Sequence, residues 1–594
     1  MRYFTLVLFS FVLTATNAQV DLPVGFTSSE LEQIARGDFQ ISSSQTRGIA
    51  TPPPFTNLRS MAEWEEIQCL TVAWISYPSI LKQIVANAKT QTLVIILSEN
   101  VTATENYLNA TNTGGPAFTD MNNVVIVPAN FDSVWMRDYA ANPVYGNEVD
   151  TLMLVDWIYN RPTRPNDDAS PQTIADYLGL NLYTMTEAPD DLVNTGGNWM
   201  VDGFGTAFAS ELILDENQAG NPYGVTAKTE ADIDLIMEEY LGINRYIKMP
   251  TLPYDGIHHI DMHMKLLDEQ RLLIGEYPAG VADGPQINAN MEYVVSNFMN
   301  KWGEPYEVIR IPMPPSAGGN WPSSNPPSSY RTYTNAVFVN DMVILPIYRE
   351  EYDTTALRIW QESLPGYQII GIDCDNQTDN IIAASGAIHC ITHSVGVNDP
   401  LLISHNPLDD TTNTTTPYEV VAYMNHRSGV VAGRLYWKTD LLGSYNVVDM
   451  VSIGNNEWSG LIPAQAAGTT VYYYVEGESN SGKILQRPIA APAAYWSFDV
   501  LGPDAVQEEA FTFSRIFPNP ASAITCVEFE SFATQRATAF VVNAQGQRVE
   551  QVFESTISPG KNKFFIHANK YAAGMYYIQL VGEKGVYHLP FVVE

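Results

Sequence analysis

Between about residues 61 and 400, short apolar, β-branched runs alternate with stretches in which apolar positions recur every three or four residues. The runs at 69–75, 93–97, 124–127, 342–345 and 367–372 read as strands, and 79–90 and 231–241 read as amphipathic helices. Such alternation predicts an α/β domain of about 340 residues. After Pro407 the pattern changes. A polar stretch at 409–417 leads into short alternating runs at 420–424, 430–437 and 470–475, the pattern of an all-β sandwich. A second break near Pro503 precedes further strands, including 574–578. Ahead of the α/β region, residues 19–60 are polar, with Ser42–Ser43–Ser44 and Pro52–Pro53–Pro54, and read as a pro-segment or loose lead-in. Gly196–Gly197–Asn198–Trp199 recurs as Gly318–Gly319–Asn320–Trp321, either by chance or because the same turn serves two repeated units.

The first residues change the expected compartment. Arg2, an apolar run at 4–13 and the small residues Thr16–Asn17–Ala18 form the pattern of a signal peptide over 1–18. The expected organisation is therefore signal peptide 1–18, lead-in 19–60, catalytic domain 61–405, β-sandwich 418–502 and a small β-sandwich 511–594. That run is too short to span a bilayer, and no other segment approaches ~20 uninterrupted apolar residues. The net charge of −35 argues against nucleic acid and anionic membranes as partners and suits a cationic substrate, although a solubilising surface explains much of it. From Phe511 onward seven basic residues meet six acidic ones, so the acidity belongs to the upstream domains.

Four cysteines spread over 594 residues do not make a disulfide scaffold. No Cys-x-x-Cys pair, zinc helix, EF-hand loop or glycine-rich phosphate loop is present, so the sequence calls for neither a metal nor another cofactor. Cys69 sits in an apolar run where a buried, inert thiol is expected, and Cys374 lies between Asp373 and Asp375, whose charges would suppress its thiolate. Cys390, after Gly386–Ala387–Ile388–His389 at the expected end of a strand and with no acid adjacent, is the best nucleophile. A Cys374–Cys390 disulfide is the competing possibility. Residues 258–264, with His259 and Asp261 two apart, read as a strand that places both on one face. Asp138 follows Trp135–Met136–Arg137, where a surface Arg137–Asp138 pair is the plain alternative. Together these residues outline a thiol site for a planar cation.

Met61–Ala62–Glu63–Trp64–Glu65, Trp135-x-Arg137–Asp138, His259-x-Asp261, Tyr333–Thr334–Asn335–Ala336, Leu345–Pro346–Ile347–Tyr348, Leu364–Pro365–Gly366–Tyr367 and Gly386–Ala387–Ile388–His389–Cys390–Ile391–Thr392 occur in the order of the agmatine deiminase and bacterial-type (Porphyromonas-type) peptidylarginine deiminase family. The resemblance implies a five-bladed α/β propeller (pentein) of guanidino-group-modifying enzymes, followed by an all-β immunoglobulin-like sandwich and the small β-sandwich. It also implies catalytic roles for Cys390, His259, Asp261, Asp138 and Asn335. Trp135, Asp138 and Asp261 would bind substrate. Arg161 and Arg164, in a stretch at 155–168 that resembles the peptidyl type, would grip a C-terminal carboxylate, their alternative being surface charge balancing Asp167 and Asp168. The stretch carries an extra residue between the two arginines, and Gly256 stands where a tyrosine would help that grip. The last segment resembles a type IX secretion sorting domain through Phe517–Pro518–Asn519–Pro520 and 574–578, but lacks the usual closing lysine. The implied protein is secreted or surface-bound by way of the periplasm, with the type IX machinery as partner. It would convert peptidyl arginine to citrulline through a Cys thiouronium, or agmatine to N-carbamoylputrescine. A surface binding protein that has lost turnover is the alternative of another class.

Overall fold

The computed structural model describes residues 22–39, 48–322, 330–502, 511–532, 534–543, 548–582 and 585–593; the signal-peptide expectation for 1–18 lies outside them. From residue 58 to 396 one motif recurs five times. A central strand pairs antiparallel with one neighbour, then continues through a helix into a second neighbour that pairs parallel. Ile67–Ala73 crosses by the helix Pro78–Ala88 to Leu93–Ser98, and Thr151–Tyr159 by Pro165–Leu178 to Leu182–Met185. Thr206–Ser210 crosses by Glu230–Leu241 to Arg245–Met249. Arg271–Glu276 crosses by Gly284–Asn297 to Glu307–Pro312, and Met342–Ile347 by Glu350–Ser363 to Gln368–Asp373. Parallel neighbours need such crossovers, and the helices cover one face of each sheet, which is why the central strands are nearly continuous apolar runs. The last strand, His393–Gly396, returns to pair antiparallel with Ile67–Ala73, so the chain closes on its own beginning.

Three expectations need correcting. Residues 258–264 are not one strand: His258 has φ +59°, Ile260–Met262 form a 3₁₀ turn, and only Met264–Leu266 is a strand. The alternation of polar and apolar positions there marks a tight turn that aims His259 and Asp261 inward. The two Gly-Gly-Asn-Trp sequences are not the same turn. Gly196–Asn198 is a buried 3₁₀ turn, whereas Gly319 takes φ +76° in an exposed one. The described part of the lead-in is not loose: Ser28–Arg36 is a helix closed at its start by a Thr27–Glu30 capping box, and Leu58–Ser60 pairs with Asn142–Gly146.

Beyond residue 401, seven strands form an antiparallel path and an eighth, Trp496–Val500, pairs antiparallel with Thr469–Ser479; their alternating burial faces a core that includes Val420, Leu435, Val475 and Phe498. Residues 511–593 build a three-stranded and a four-stranded antiparallel sheet around Val527, Phe529, Ile578 and Phe591. No helix among the described residues is long and apolar enough to cross a membrane.

Candidate active site

The turns that join the five sheet units converge, and they carry the predicted chemistry with them. Cys390 is not at the end of a strand but in the turn that precedes His393–Gly396. Its backbone is pinned by Arg137, whose N–H donates to the Cys390 carbonyl at 3.0 Å, and by Asn335, whose Oδ1 accepts from the His389 and Cys390 amides at 2.9 and 3.4 Å. Asn335 Nδ2 lies 3.1 Å from Cys390 Sγ, and Asp261 Oδ2 lies 3.6 Å from the same sulfur. Asp138, on the short helix Met136–Tyr139, faces His259 at 3.6 Å and accepts from the Gly197 amide at 3.2 Å. Cys390, His259, Asp261, Asp138 and Asn335 therefore meet in one place, each completely buried.

The environment sets their protonation. Burial, with the neighbouring Asp261 charge, pushes the Asp138 carboxyl up to about 7. Burial also drives His259 down to about 3, leaving a neutral imidazole. Burial opposes the Asp261 charge as well, but the His389 hydrogen bond and the nearby cations outweigh it and hold that carboxyl below the ordinary range. The Cys390 thiol is pushed well above its usual value by burial and then by Asp261 and Asp138. The absence of an acid beside it in sequence was a misleading guide, because two acids reach it through space. All four cysteines are free, so the Cys374–Cys390 disulfide does not form.

A second layer escaped the sequence reading. His389 lies between two carboxylates, Nδ1 at 2.7 Å from Asp261 and Nε2 at 2.6 Å from Glu63. Glu63 also meets Arg137 Nη1 at 2.9 Å and pairs with Lys265. This chain of charges fixes Asp261 from behind and removes the surface-pair alternative for Arg137 and Asp138, both of which are buried. Glu63 lay in a quoted motif and Gly197 in the repeated tetrapeptide, so both carried a signal without a role.

Trp135, Arg161 and Arg164 are also buried, and the surface-charge alternative for the arginines fails. Asp167 and Asp168 accept backbone amides, those of Asp132, Ser133 and Tyr159. What the three residues hold is the lead-in. Trp135 Nε1 donates to the Leu22 carbonyl at 2.9 Å, Arg161 Nε to that of Val24 at 2.8 Å, and Arg164 pairs with the Glu30 carboxylate at 2.8 and 3.1 Å. At Gly256 a side chain would project into open space.

The family model for Porphyromonas-type peptidyl-arginine deiminase matches residues 59–395. The chain belongs to that family. It is thus a hydrolase acting on guanidino groups, and the convergent site is where that chemistry would reside. A second model, the secretion system C-terminal sorting domain, matches 515–594 and supports secretion or cell-surface attachment. Among related proteins, one named as an agmatine deiminase in Vibrio parahaemolyticus is 25% identical over 46% of this chain and 78% of its own length. One with the same name in Legionella pneumophila is 27% identical over 46% and 75%. A solved agmatine deiminase of Enterococcus faecalis aligns with a TM-score of 0.48 at 18% identity, over 60% of this chain and all of its own.

Proposed function

We propose that this guanidine deiminase acts on arginine in peptides, with C-terminal arginine preferred, releasing ammonia and leaving citrulline. The supporting observation is that two buried carboxylates flank the thiol, each with an oxygen free of protein partners, Asp138 Oδ2 and Asp261 Oδ1. A guanidinium is planar and carries its donors in a fixed fork, so paired carboxylates can hold its plane and localise its charge. Its positive charge also counters the very carboxylates that suppress the Cys390 thiolate and keep Asp138 protonated.

In the proposed reaction the thiol proton passes to neutral His259 and the Cys390 sulfur attacks the central guanidine carbon. His259 returns the proton to the departing nitrogen, which leaves as ammonia, and a positively charged thiouronium remains on Cys390. His259 then takes a proton from water, the hydroxide adds to the same carbon, the carbon–sulfur bond breaks, His259 passes its proton back to the departing sulfur, and the ureido product leaves after giving its remaining extra proton to the released ammonia. Asn335, donating to sulfur, would hold the thiolate in line.

The choice of peptide over agmatine rests on charge. Beyond the carboxylate pair stand Arg161 and Arg164, which would repel the distal ammonium of agmatine and attract a peptide carboxylate. The names of the relatives favour agmatine as the second reading. We further read the five like sheet units as the blades of an α/β propeller. The boundaries 61–405, 418–502 and 511–594 would separate it from an immunoglobulin-like sandwich and the sorting domain, with export through the periplasm. The test is ureido-product formation from agmatine, free arginine, a C-terminal arginine peptide and an internal arginine peptide, measured on the full chain and again after proteolytic removal of its N-terminal lead-in, with Cys390→Ala alongside. Turnover of the peptides, lost in the variant, is the expected result; turnover of agmatine alone would reverse the substrate reading.

A further inference from the structure

The lead-in sits on the site as a ligand would. From residue 22 to 30 it runs past Trp135, Arg161 and Arg164 and offers each of them an acceptor. Val24 is completely buried, its amide donates to the Ala384 carbonyl at 2.9 Å, and its Cγ2 fills the notch that Gly386 and the Trp135 ring leave open. The Phe26 ring lies 4.4 Å from the Arg161 guanidinium, and the Gly25 carbonyl accepts from Arg164 Nη2 at 3.0 Å. Glu30 takes Arg164 through both carboxylate oxygens and Thr163 Oγ1 at 2.9 Å. Paired, two-point recognition of a carboxylate by guanidinium is the strong form of this interaction.

Two further features separate this segment from the body of the fold. Glu30 is the one buried residue of the Ser28–Arg36 helix; Leu31, which an integral helix would turn inward, is 54% exposed. Between residues 22 and 39 only Val24 and Glu30 are buried, so polar contacts rather than an apolar face anchor the segment. The helix then ends at Gly37, with Arg36, Gly37 and Asp38 all exposed. Meanwhile Cys390, His259 and both site carboxylates have no solvent-accessible surface.

We propose that residues 22–36 are a built-in peptide occupant of the catalytic mouth. The Glu30 carboxylate stands in for the carboxylate of a substrate at Arg164 and the Val24–Gly25 carbonyls for its backbone, so that the chain is latent until cut after the helix. Exposed Arg36 makes that point open to a trypsin-like protease. The inference rests on the deiminase reading only for what the opened site turns over.

The test inserts a site-specific protease sequence after Gly37 in the full chain and follows alkylation of Cys390 by iodoacetamide, with buried Cys69 and Cys374 as internal reporters of folding. Cutting followed by removal of the segment is expected to speed Cys390 labelling at least tenfold while Cys69 and Cys374 stay protected. Adding back synthetic peptide 22–36 should restore protection, and the same peptide with Glu30→Gln should do so at least tenfold less well. Equal labelling before and after cutting, or no protection by the added peptide, overturns the proposal. Opening of Cys390 without citrulline formation from an arginine peptide would leave the latch standing and remove the peptide-substrate reading, so the two can fail separately.

Discussion

Gly197 stands where no side chain fits. A Cβ there would come within 2.3 Å of His259 Nδ1 and 2.9 Å of Asp138 Oδ1, while its backbone avoids the left-handed region, so proximity rather than backbone freedom demands glycine. Gly197→Ala should fold and yet push His259 and Asp138 off their positions. Because a shift of about 1 Å in a reacting group can cost ~100-fold, kcat/KM for an arginine peptide is expected to fall by about that factor with only a small loss in melting temperature. Unchanged kinetics would remove His259 and Asp138 from the reaction. Asp138 makes a second, pH-dependent prediction. In the folded chain it keeps its proton to about 7, against an ordinary value of 3.8. Between those values the native state binds more protons than the unfolded one, so this residue's contribution to stability falls as pH rises through the window and is level above it. Asparagine does not titrate. The stability of Asp138→Asn relative to the parent should therefore grow by about 2–3 kcal/mol from pH 5 to pH 7, followed by denaturant unfolding at each pH. A difference that stays constant would mean that the carboxyl is ionised throughout. Cys390, His259, Asp261 and Asp138 stood out in the sequence because thiol chemistry on a planar cation restricts its candidates to few residue types, whereas Asn335 entered only through the family resemblance. The Glu63 network was not, because Glu63 meets Lys265 and His389 across 202 and 326 residues of chain, a relation that no local pattern records.

At the scale of elements, the loop that delivers Trp135 and Asp138 has no sheet to hold it and is fixed by the start of the next helix. Asp167, in the first turn of Pro165–Leu178, accepts the Asp132 and Ser133 amides at 2.7 and 2.9 Å and the Ser133 hydroxyl at 2.6 Å. Tyr139 closes the same loop by donating to the Ser133 carbonyl at 2.9 Å. Asp167→Ala strands three donors in a buried place, at a cost of about 2–4 kcal/mol, and frees the loop. It should lower kcat/KM roughly tenfold, whereas Asp167→Asn, which keeps an oxygen for the two amides, should cost much less on both counts. Equal losses in the two variants would show that charge rather than hydrogen bonding holds the loop. Parallel strands were easy to find in the sequence because burial on both faces leaves nearly unbroken apolar runs, as at Leu93–Ser98. The turn at His258–Met262 was misread because a polar–apolar alternation has the same period whether the chain is extended or, as here, folded by a positive φ. The helix Ser28–Arg36 was missed because its apolar positions, Leu31, Ile34 and Ala35, span barely one turn in an otherwise polar stretch.

At the scale of the molecule, the fivefold recurrence entered the sequence reading only through the family resemblance, because the units share pairing geometry rather than residues and the one repeated tetrapeptide pointed to unrelated turns. The joint between the catalytic and middle units was equally hidden, since its partners lie hundreds of residues apart. Arg487, on Ile484–Arg487, donates to the Trp64 carbonyl at 3.1 Å and reaches Glu269 at 3.5 Å, while Ser404 donates to the other Glu269 oxygen at 2.9 Å. Gly366 packs so closely on Ala493 that a Cβ would sit 2.2 Å from its carbonyl carbon. Both charged partners are buried, and burial already raises the Glu269 carboxyl despite Arg487. Arg487→Ala would leave that carboxyl to take up a proton or stay charged without a guanidinium, a loss of about 3 kcal/mol concentrated at the joint. The middle unit has its own apolar core around Val420 and Phe498, so it should survive undocking. Calorimetry of the full-length variant is therefore expected to show an additional, separately melting component, and proteolysis within the polar stretch at 409–417 should quicken. The site itself should be spared. Although Trp64 follows Glu63 directly, Glu63 is held on its own account by Arg137, His389 and Lys265, so kcat/KM should stay within about threefold of the parent. A large loss of activity with an unsplit endotherm would instead mean that Arg487 acts through Trp64 on the Glu63 network, and that the middle unit supports catalysis rather than merely standing beside it.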